Sequence, residues 1–346
     1  MKPIFTLLTF LYSITWAHVR AQESPVAPLN SINAEMEKVN ARYMVYMSEM
    51  AHGRKAKKAE KRHLELLTQI DEARYALAGI PYYKGDKALH EGAKSYLTLI
   101  GNMQRENYSK VVNMEEIAEK SYDAMEAYIL FKKKLDERMQ QASDSLDAVT
   151  TAYAARHNIT LTKAPEDERS AKMKKISHVM DYYDMMYLIM FKASIQDEQM
   201  VEALNRKDIT AIEQNKSSLL KYAEEGLQKL DTIKGYRGSD VTLKNALRLL
   251  LTFYKKEASL VEANIDYMVK AADFETIKKN FERNSKAQSD KAEVDKYNKA
   301  VKEMNDAVNA SNKANQQMNS GRADGINNWN RAVKEFLDTH IPVTKK

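Results

Sequence analysis

The stretch Leu135–Tyr153, LDERMQQASDSLDAVTTAY, decides the fold class of this chain. Apolar side chains recur in it at alternating steps of four and three residues, which places them on one face of an α-helix. This spacing is the heptad stripe through which helices pack against one another. The stripe consists of Leu135, Met139, Ala142, Leu146, Val149 and Tyr153.

Three later segments carry stripes of helical spacing, and no strand-type alternation of apolar and polar residues persists along the chain. Glycine and proline, at 10 and 6 residues, are too few to supply the turns of a β-protein. We therefore predict an all-α fold, an elongated helical bundle. The three stripes are Met173, Ile176, Met180, Tyr183, Tyr187, Met190 and Ser194; Leu243, Ala246, Leu247, Leu250, Tyr254, Ala258, Val261 and Ile265; and Val294, Tyr297, Val301, Met304 and Val308.

The boundaries of the predicted helices follow from where each stripe begins and ends. The segment Asn305–Asn330 is rich in asparagine, a weak helix former, so we expect a loosened helix end and a loop there. Trp329 and Phe336 then dock as a C-terminal anchor. The predicted helices span roughly 31–52, 54–78, 87–112, 115–157, 166–206, 209–233, 240–271, 274–315 and 327–339.

An internal repeat organises these helices. Shifted by 153 residues, Leu66–Leu97 lies without gaps on Leu219–Leu250. Within it, Tyr-Lys-Gly at 83–85 meets Tyr-Arg-Gly at 236–238. Glycine adopts the left-handed conformation that ends a helix, and the acid or serine that follows caps the next helix. The repeat therefore predicts the same helical hairpin in both halves.

We predict that the repeat divides the mature chain into two four-helix units. The first covers residues 22–160 and the second covers 161–346, including the C-terminal anchor. The join falls at Asn158–Glu168, where Pro165 interrupts the periodicity. One continuous bundle and two separate domains both agree with this pattern.

The beginning of the chain, residues 1–21, has the layout of a secretory signal peptide. Lys2 supplies a positive end, a mostly apolar run follows from Ile4 to Trp16, and Val19-Arg20-Ala21 has the small-x-small pattern of a cleavage site. The apolar run is shorter than the roughly twenty residues that span a bilayer. We therefore expect export, a mature protein starting near Gln22, and a location in the periplasm or at the cell surface.

Composition excludes several function classes. Cysteine is absent, which rules out disulfide bonds, thiol catalysis and the lipid-modified cysteine of a lipoprotein. The mature chain carries 52 basic and 48 acidic residues, and a net charge of +4 is too mild to indicate nucleic-acid binding. The sequence also predicts no transmembrane segment once the signal is removed.

One concentrated charge feature stands out in the mature chain. The run from Arg54 to Arg62 suits either a solvated helix start or a surface that rests on anionic headgroups, acidic glycans or another envelope protein. Its members cover most of the helix circumference and so form no focused stripe. The candidate interaction face consists of Arg54, Lys55, Lys57, Lys58, Lys61 and Arg62.

Two patterns resemble metal sites but have simpler explanations. Glu60-x-x-His63 has the spacing of a di-iron ligand pair, but position 63 corresponds to Lys216 in the repeat, so the second copy is missing. Clustered methionines such as Met44, Met47 and Met50 have the spacing of copper(I) ligands, but the lack of nearby cysteine or histidine pairs favours gap filling between helices. We therefore predict no metal, no cofactor and no catalytic residue.

The C-terminal region resembles a known group of proteins. The segments Tyr297-Asn298-Lys299-Ala300-Val301 and Trp329-Asn330-Arg331-Ala332-Val333, followed by Phe336, His340, Ile341 and Pro342, are similar to uncharacterised exported helical proteins of bacteria, including a group named after a leptospiral surface protein. The resemblance implies an all-helical fold and an envelope or surface location, and it implies no activity.

Together these observations predict a non-enzymatic exported protein of the bacterial envelope that acts through binding or structural contacts. The alternative hypothesis is a metal- or small-ligand-binding helical bundle.

Overall fold

A computed structural model describes residues 12–13, 24–52, 56–118, 121–163, 168–283 and 290–341. The predicted export signal lies outside these ranges except for Tyr12 and Ser13, and Arg54 and Lys55 of the basic run also lie outside them.

Over the described residues the protein is almost entirely helical, which confirms the predicted all-α fold. A two-residue antiparallel pair joins β1 (Tyr12–Ser13) to β2 (Thr162–Lys163). The helices are α1 (Val26–His52), α2 (Ala56–Leu77), α3 (Ala88–Ala118), α4 (Tyr122–Arg156), α5 (Glu168–Arg206), α6 (Ile209–Thr232), α7 (Thr242–Leu260), α8 (Glu262–Arg283) and α9 (Lys291–His340).

Short polar side chains start several of these helices. The Ser121 hydroxyl accepts a hydrogen bond from the backbone N–H of Ala124 at 3.2 Å, at the start of α4. The carboxylate of Asp208 accepts one from Ala211 at 3.0 Å, at the start of α6. Each bond satisfies a backbone donor that the first turn of a helix leaves without a partner, and such a cap is worth about 1 kcal/mol.

Both predicted hairpins have the backbone geometry that the repeat indicates. Lys84 and Gly85 have φ of 48° and 78°, and Arg237 and Gly238 have φ of 51° and 81°. A Cβ atom at either glycine would contact no other group, so the glycine is required there by backbone conformation alone. The local match supports the alignment of the hairpins, while the duplication of whole units stays a prediction.

The chain forms two compact units. The first unit comprises Met1–Asp184 and Lys334–Lys346, and the second comprises Met185–Val333. These limits differ from the predicted ones in two places. Helix α5 belongs to the first unit up to Asp184 and to the second unit beyond it, and the end of α9 from Lys334, which includes Phe336 of the predicted anchor, belongs to the first unit.

In the first unit, α1 packs on α2, α2 on α3, and α3 on α4. Close approach of α3 to α4 depends on Gly92, where a Cβ atom would lie 2.9 Å from a methyl group of Val149. Tyrosine rings fill much of this core, and Tyr43, Tyr128 and Tyr153 are at most 1 % exposed.

In the second unit, α6 packs on α7, α8 continues the chain directly after α7, and α9 lies against α7. A Cβ atom at Gly325 of α9 would be 2.7 Å from Leu250, so the absence of a side chain allows this contact. Gly321 makes a similar approach to the ring of Phe253.

The prediction of a loop within Asn305–Asn330 is wrong, because α9 continues through this segment to His340. The separate helix predicted at 327–339 is part of the same α9. The heptad spacing explains the continuity, since it persists beyond Val308 and gives α9 a packing face over its whole length. The face continues through Ser311, Asn315, Met318, Arg322, Gly325, Trp329, Ala332 and Phe336.

A smaller difference concerns the helix predicted over 240–271. A turn at Val261 separates α7 from α8, and α8 then extends to Arg283. The amide of Val261 still donates to the Glu257 carbonyl at 3.1 Å, so the backbone hydrogen bonding is maintained up to the turn.

Candidate functional site

The second unit contains a buried ionic cluster made by three helices. The guanidinium of Arg322 on α9 donates two hydrogen bonds to Asp197 on α5, Nε to Oδ2 at 2.8 Å and Nη2 to Oδ1 at 3.0 Å. Its Nη2 also donates to Oε1 of Glu257 on α7. Asp197 is 4 % exposed and Glu257 is fully buried. We call these three residues the Arg322 cluster.

The Arg322 cluster places two carboxyl groups around one guanidinium. Burial raises the pKa of Glu257 far above its usual value, and the negative charge of Asp197 raises it further. Burial alone lowers the pKa of Arg322, but the hydrogen bonds and charge of Asp197 outweigh it and the net direction is upward. Near neutral pH, Glu257 therefore keeps its proton, and the cluster as a whole carries no net charge.

The raised pKa of Glu257 makes folding stability depend on pH. The folded chain holds this proton above pH 4.5, the usual pKa of a glutamate, whereas the unfolded chain releases it. The free energy of unfolding should therefore fall as pH rises above that value, by at most about 1.4 kcal/mol per pH unit. Urea unfolding of wild type and Glu257→Gln over about pH 5 to 8 measures how the free energy of unfolding depends on pH. This free energy should fall less steeply with pH in the variant than in wild type. The exposed control Glu303→Gln should keep the wild-type slope.

Next to the Arg322 cluster lies a cleft of about 430 Å³, which we call the polar cleft. Its volume is within the range of about 300–1,000 Å³ that small-molecule sites occupy. The end of α5, the first half of α8 and the middle of α9 form its walls. The lining residues are Val201, Leu204, Asn205, Lys207, Asn264, Tyr267, Met268, Val308, Ser311, Asn312, Asn315, Met318, Asn319 and Arg322.

A buried polar pair belongs to the lining of the polar cleft. The hydroxyl of Ser311 donates to Oδ1 of Asn264 at 2.6 Å, and the two residues are 5 % and 4 % exposed. The amide nitrogen Nδ2 of Asn264 is buried and has no hydrogen-bond partner among the residues that the structure describes. Since buried donors are nearly always paired in folded proteins, this nitrogen is a candidate donor to a bound molecule.

Three asparagines of α9 line the polar cleft together. Asn312, Asn315 and Asn319 are spaced by three and four residues, so they share one helix face. Asn319 also accepts a hydrogen bond from Arg322, Nη1 to Oδ1 at 3.3 Å. Alanine at these positions would favour the helix more strongly, so the asparagines lower helix stability while supplying the cleft with hydrogen-bonding groups.

The predicted interaction face is less uniform than the sequence suggests. Lys57, Lys58 and Lys61 are exposed on α2, and we call them the α2 basic surface. Arg62 is instead half-buried and paired with Glu65, with 2.6 Å between Nη1 and Oε2. The α2 basic surface belongs to the first unit and the polar cleft to the second.

The two metal-like patterns have structural explanations in the first unit. Burial lowers the pKa of His63, whose Nε2 lies 3.2 Å from the carbonyl oxygen of Gln104, whereas Glu60 is exposed. Met44 and Met47 lie on α1 and are buried in the core of the first unit. Across the described ranges, no three His, Cys, Asp or Glu side chains are grouped so as to hold a metal ion.

Sequence reasoning missed the Arg322 cluster, although a signal for it exists. Asp197 continues the stripe that ends at Ser194, and Glu257 follows Tyr254 at the next heptad position. Arg322 stands in the same way on the α9 face, four residues after Met318. An ionisable residue at a core position of a helical stripe must find a partner, so three such residues predict a buried network.

Comparisons with protein-family models, with curated proteins and with solved structures gave no match to this chain. Among the described helices, none combines the length and the apolar character needed to cross a membrane.

Proposed function

We propose that the protein is a non-enzymatic binding protein exported to the bacterial envelope or surface, and that the polar cleft is its ligand-binding site. The observation that carries the proposal is the concentration of side-chain amides in one cleft of ligand size. Such a protein combines the predicted envelope location with the predicted alternative of small-ligand binding, without the metal site that this alternative also included.

The chemistry of the lining favours binding over catalysis. Side-chain amides donate and accept hydrogen bonds but do not exchange protons near neutral pH, so they orient a ligand without serving as acid or base. The ionisable side chain of Arg322 is held by two carboxyl groups, which keeps it charged and fixed in place. The cleft therefore offers positioned hydrogen-bonding groups, which is what selective binding requires.

Methionine methyl groups provide a direct test of this proposal. Met268 and Met318 line the polar cleft, whereas Met36 is buried in the first unit. With ¹³C-methyl-labelled protein, we expect at least one probe among glucose, cellobiose, alanyl-alanine, glutamate and adenosine to shift the resonances of Met268 and Met318 and to leave Met36 unchanged.

A matched pair of variants ties these shifts to the cleft. Asn312→Trp places an indole in the polar cleft and should abolish them, whereas Asn309→Trp adds the same ring at an exposed α9 position outside the lining and should preserve them. If no probe moves either methionine, or if both variants bind equally well, the polar cleft is not the binding site.

The α2 basic surface supports a second contact, with anionic membrane surfaces. A lysine near such a surface contributes about 1 kcal/mol, so replacing Lys57, Lys58 and Lys61 by Gln should weaken binding to phosphatidylglycerol vesicles roughly a hundredfold. Co-sedimentation at low salt measures this change, with phosphatidylcholine vesicles as the neutral reference. Replacing the exposed Lys299, Lys302 and Lys313 by Gln removes the same charge from α9 and should have little effect. If both triple variants lose vesicle binding equally, the binding depends on net charge alone and not on the α2 basic surface.

A further inference from the structure

The charges around the polar cleft indicate which ligands it accepts. Arg322 directs its guanidinium to Asp197 and Glu257, and the three groups together are close to neutral. Lys207 lies between the C-terminal end of α5 and the N-terminal end of α6, whose partial charges have opposite signs and largely cancel. The next residue, Asp208, places a carboxylate beside it in the chain. Among the described lining residues an anionic ligand would therefore meet one cation, Lys207, beside a nearly neutral cluster, and not a pair of uncompensated cations.

The hydrogen-bonding groups of the cleft are mixed donors and acceptors. Asn205, Asn264, Asn312 and Asn315 each carry one amide oxygen and one amide NH₂, and Ser311 adds a hydroxyl. Carboxylates and phosphates only accept hydrogen bonds and require an excess of donors. Adjacent hydroxyl groups of a sugar both donate and accept, so they match paired amide groups more completely.

The rest of the lining suits the non-polar faces of a sugar ring. Tyr267 and Met268 come from α8, and Val308 and Met318 come from α9. The C–H groups of a pyranose pack on such aromatic and aliphatic surfaces, while its hydroxyl groups point to polar neighbours at the ring edge. A cleft that combines both kinds of surface is complementary to an amphipathic, uncharged ring.

We infer that the polar cleft binds a neutral saccharide of mono- or disaccharide size. This inference rests on the proposed function and names the class of its ligand. Asn264 supplies its unpartnered Nδ2 donor, the asparagines of α9 pair with sugar hydroxyls, and Tyr267 packs against the ring.

Isothermal titration of the mature protein with cellobiose, maltose and diacetylchitobiose tests this inference. At least one of these should bind with one-to-one stoichiometry, and its affinity should not change between low and high salt, because no ion pair is formed with the ligand. Glucuronic acid and alanyl-alanine serve as the acidic and peptide probes and should bind at least about tenfold more weakly.

Two variants assign the contacts, and their thermal midpoints check that they fold. Asn312→Leu should weaken saccharide binding about tenfold by removing an amide from an exposed position, and Asn309→Leu is its matched control outside the cleft. Asn264→Asp preserves the acceptor for Ser311 but removes the Nδ2 donor, and it should weaken binding by a similar factor.

Salt-sensitive binding of glucuronic acid in preference to the neutral sugars would overturn the saccharide assignment, and so would preferential binding of alanyl-alanine. Either result would still support a ligand-binding cleft, because Met268 and Met318 would respond to the probe that binds. If no probe of any class shifts these methionines, the proposed function fails together with the inference.

Discussion

Replacing Arg322 by Met should lower the free energy of unfolding by about 3–5 kcal/mol, because it leaves Asp197 and Glu257 buried without a cation. The loss should appear as a lower urea midpoint monitored by far-ultraviolet circular dichroism. Arg322→Lys should lose less, since an ammonium retains the charge but cannot form the two-pronged contact with Asp197.

A control and a compensating variant separate the charge effect from packing. Arg331 is exposed on the same helix, so Arg331→Met should change stability by no more than about 0.5 kcal/mol. Replacing Asp197, Glu257 and Arg322 together by Leu, Leu and Met removes every buried charge and should recover most of the lost stability. A loss below about 1 kcal/mol for Arg322→Met would show that the cluster tolerates unpaired carboxyl groups and would contradict this account.

Truncating Phe336 to Ala should cost about 3–5 kcal/mol, because the ring is 1 % exposed and its removal leaves a cavity in the first unit. The ring lies near two aromatic neighbours, with centroids 5.7 Å from Tyr182 and 4.8 Å from His340. Chemical unfolding followed by circular dichroism measures the loss. This prediction tests the anchoring role that the sequence assigns to the end of α9.

Two further variants on α9 make the anchor test specific. Phe336→Leu retains most of the apolar volume and should lose less stability than the alanine variant. Ile326 is 40 % exposed, so Ile326→Ala should have a much smaller effect than truncation at Phe336. If Ile326→Ala and Phe336→Ala lower the free energy of unfolding by similar amounts, burial of the Phe336 ring does not determine its contribution to stability.

The asparagines of α9 have a weak local preference for helix, and tertiary packing overrides it. Local propensity alone favours a loop over Asn305–Asn330, and that prediction failed. The heptad face through Met318, Gly325 and Trp329 gives the helix tertiary contacts, and those contacts outweigh the weak propensity of its exposed asparagines. The same asparagines then supply the polar cleft, a role that no local pattern reveals.

The basic run illustrates a related limit on sequence reasoning. Its residues share a charge and a short segment, but their surroundings differ, since Lys57 and Lys61 are exposed whereas Arg62 pairs with Glu65. Charge is a property of each side chain, but availability to a partner depends on neighbours that folding brings near.

The sequence by itself determined the helical class, the position of most helices and the two hairpins, because heptad spacing, caps and left-handed glycines act over a few residues. Only the tertiary structure decided which polar groups meet. Arg322 lies 65 residues from Glu257 and 125 from Asp197 along the chain, and Asn264 lies 47 residues from Ser311. The packing of α5, α7, α8 and α9 brings these side chains into contact, since burial forces each of them to find a partner among residues that are distant in sequence.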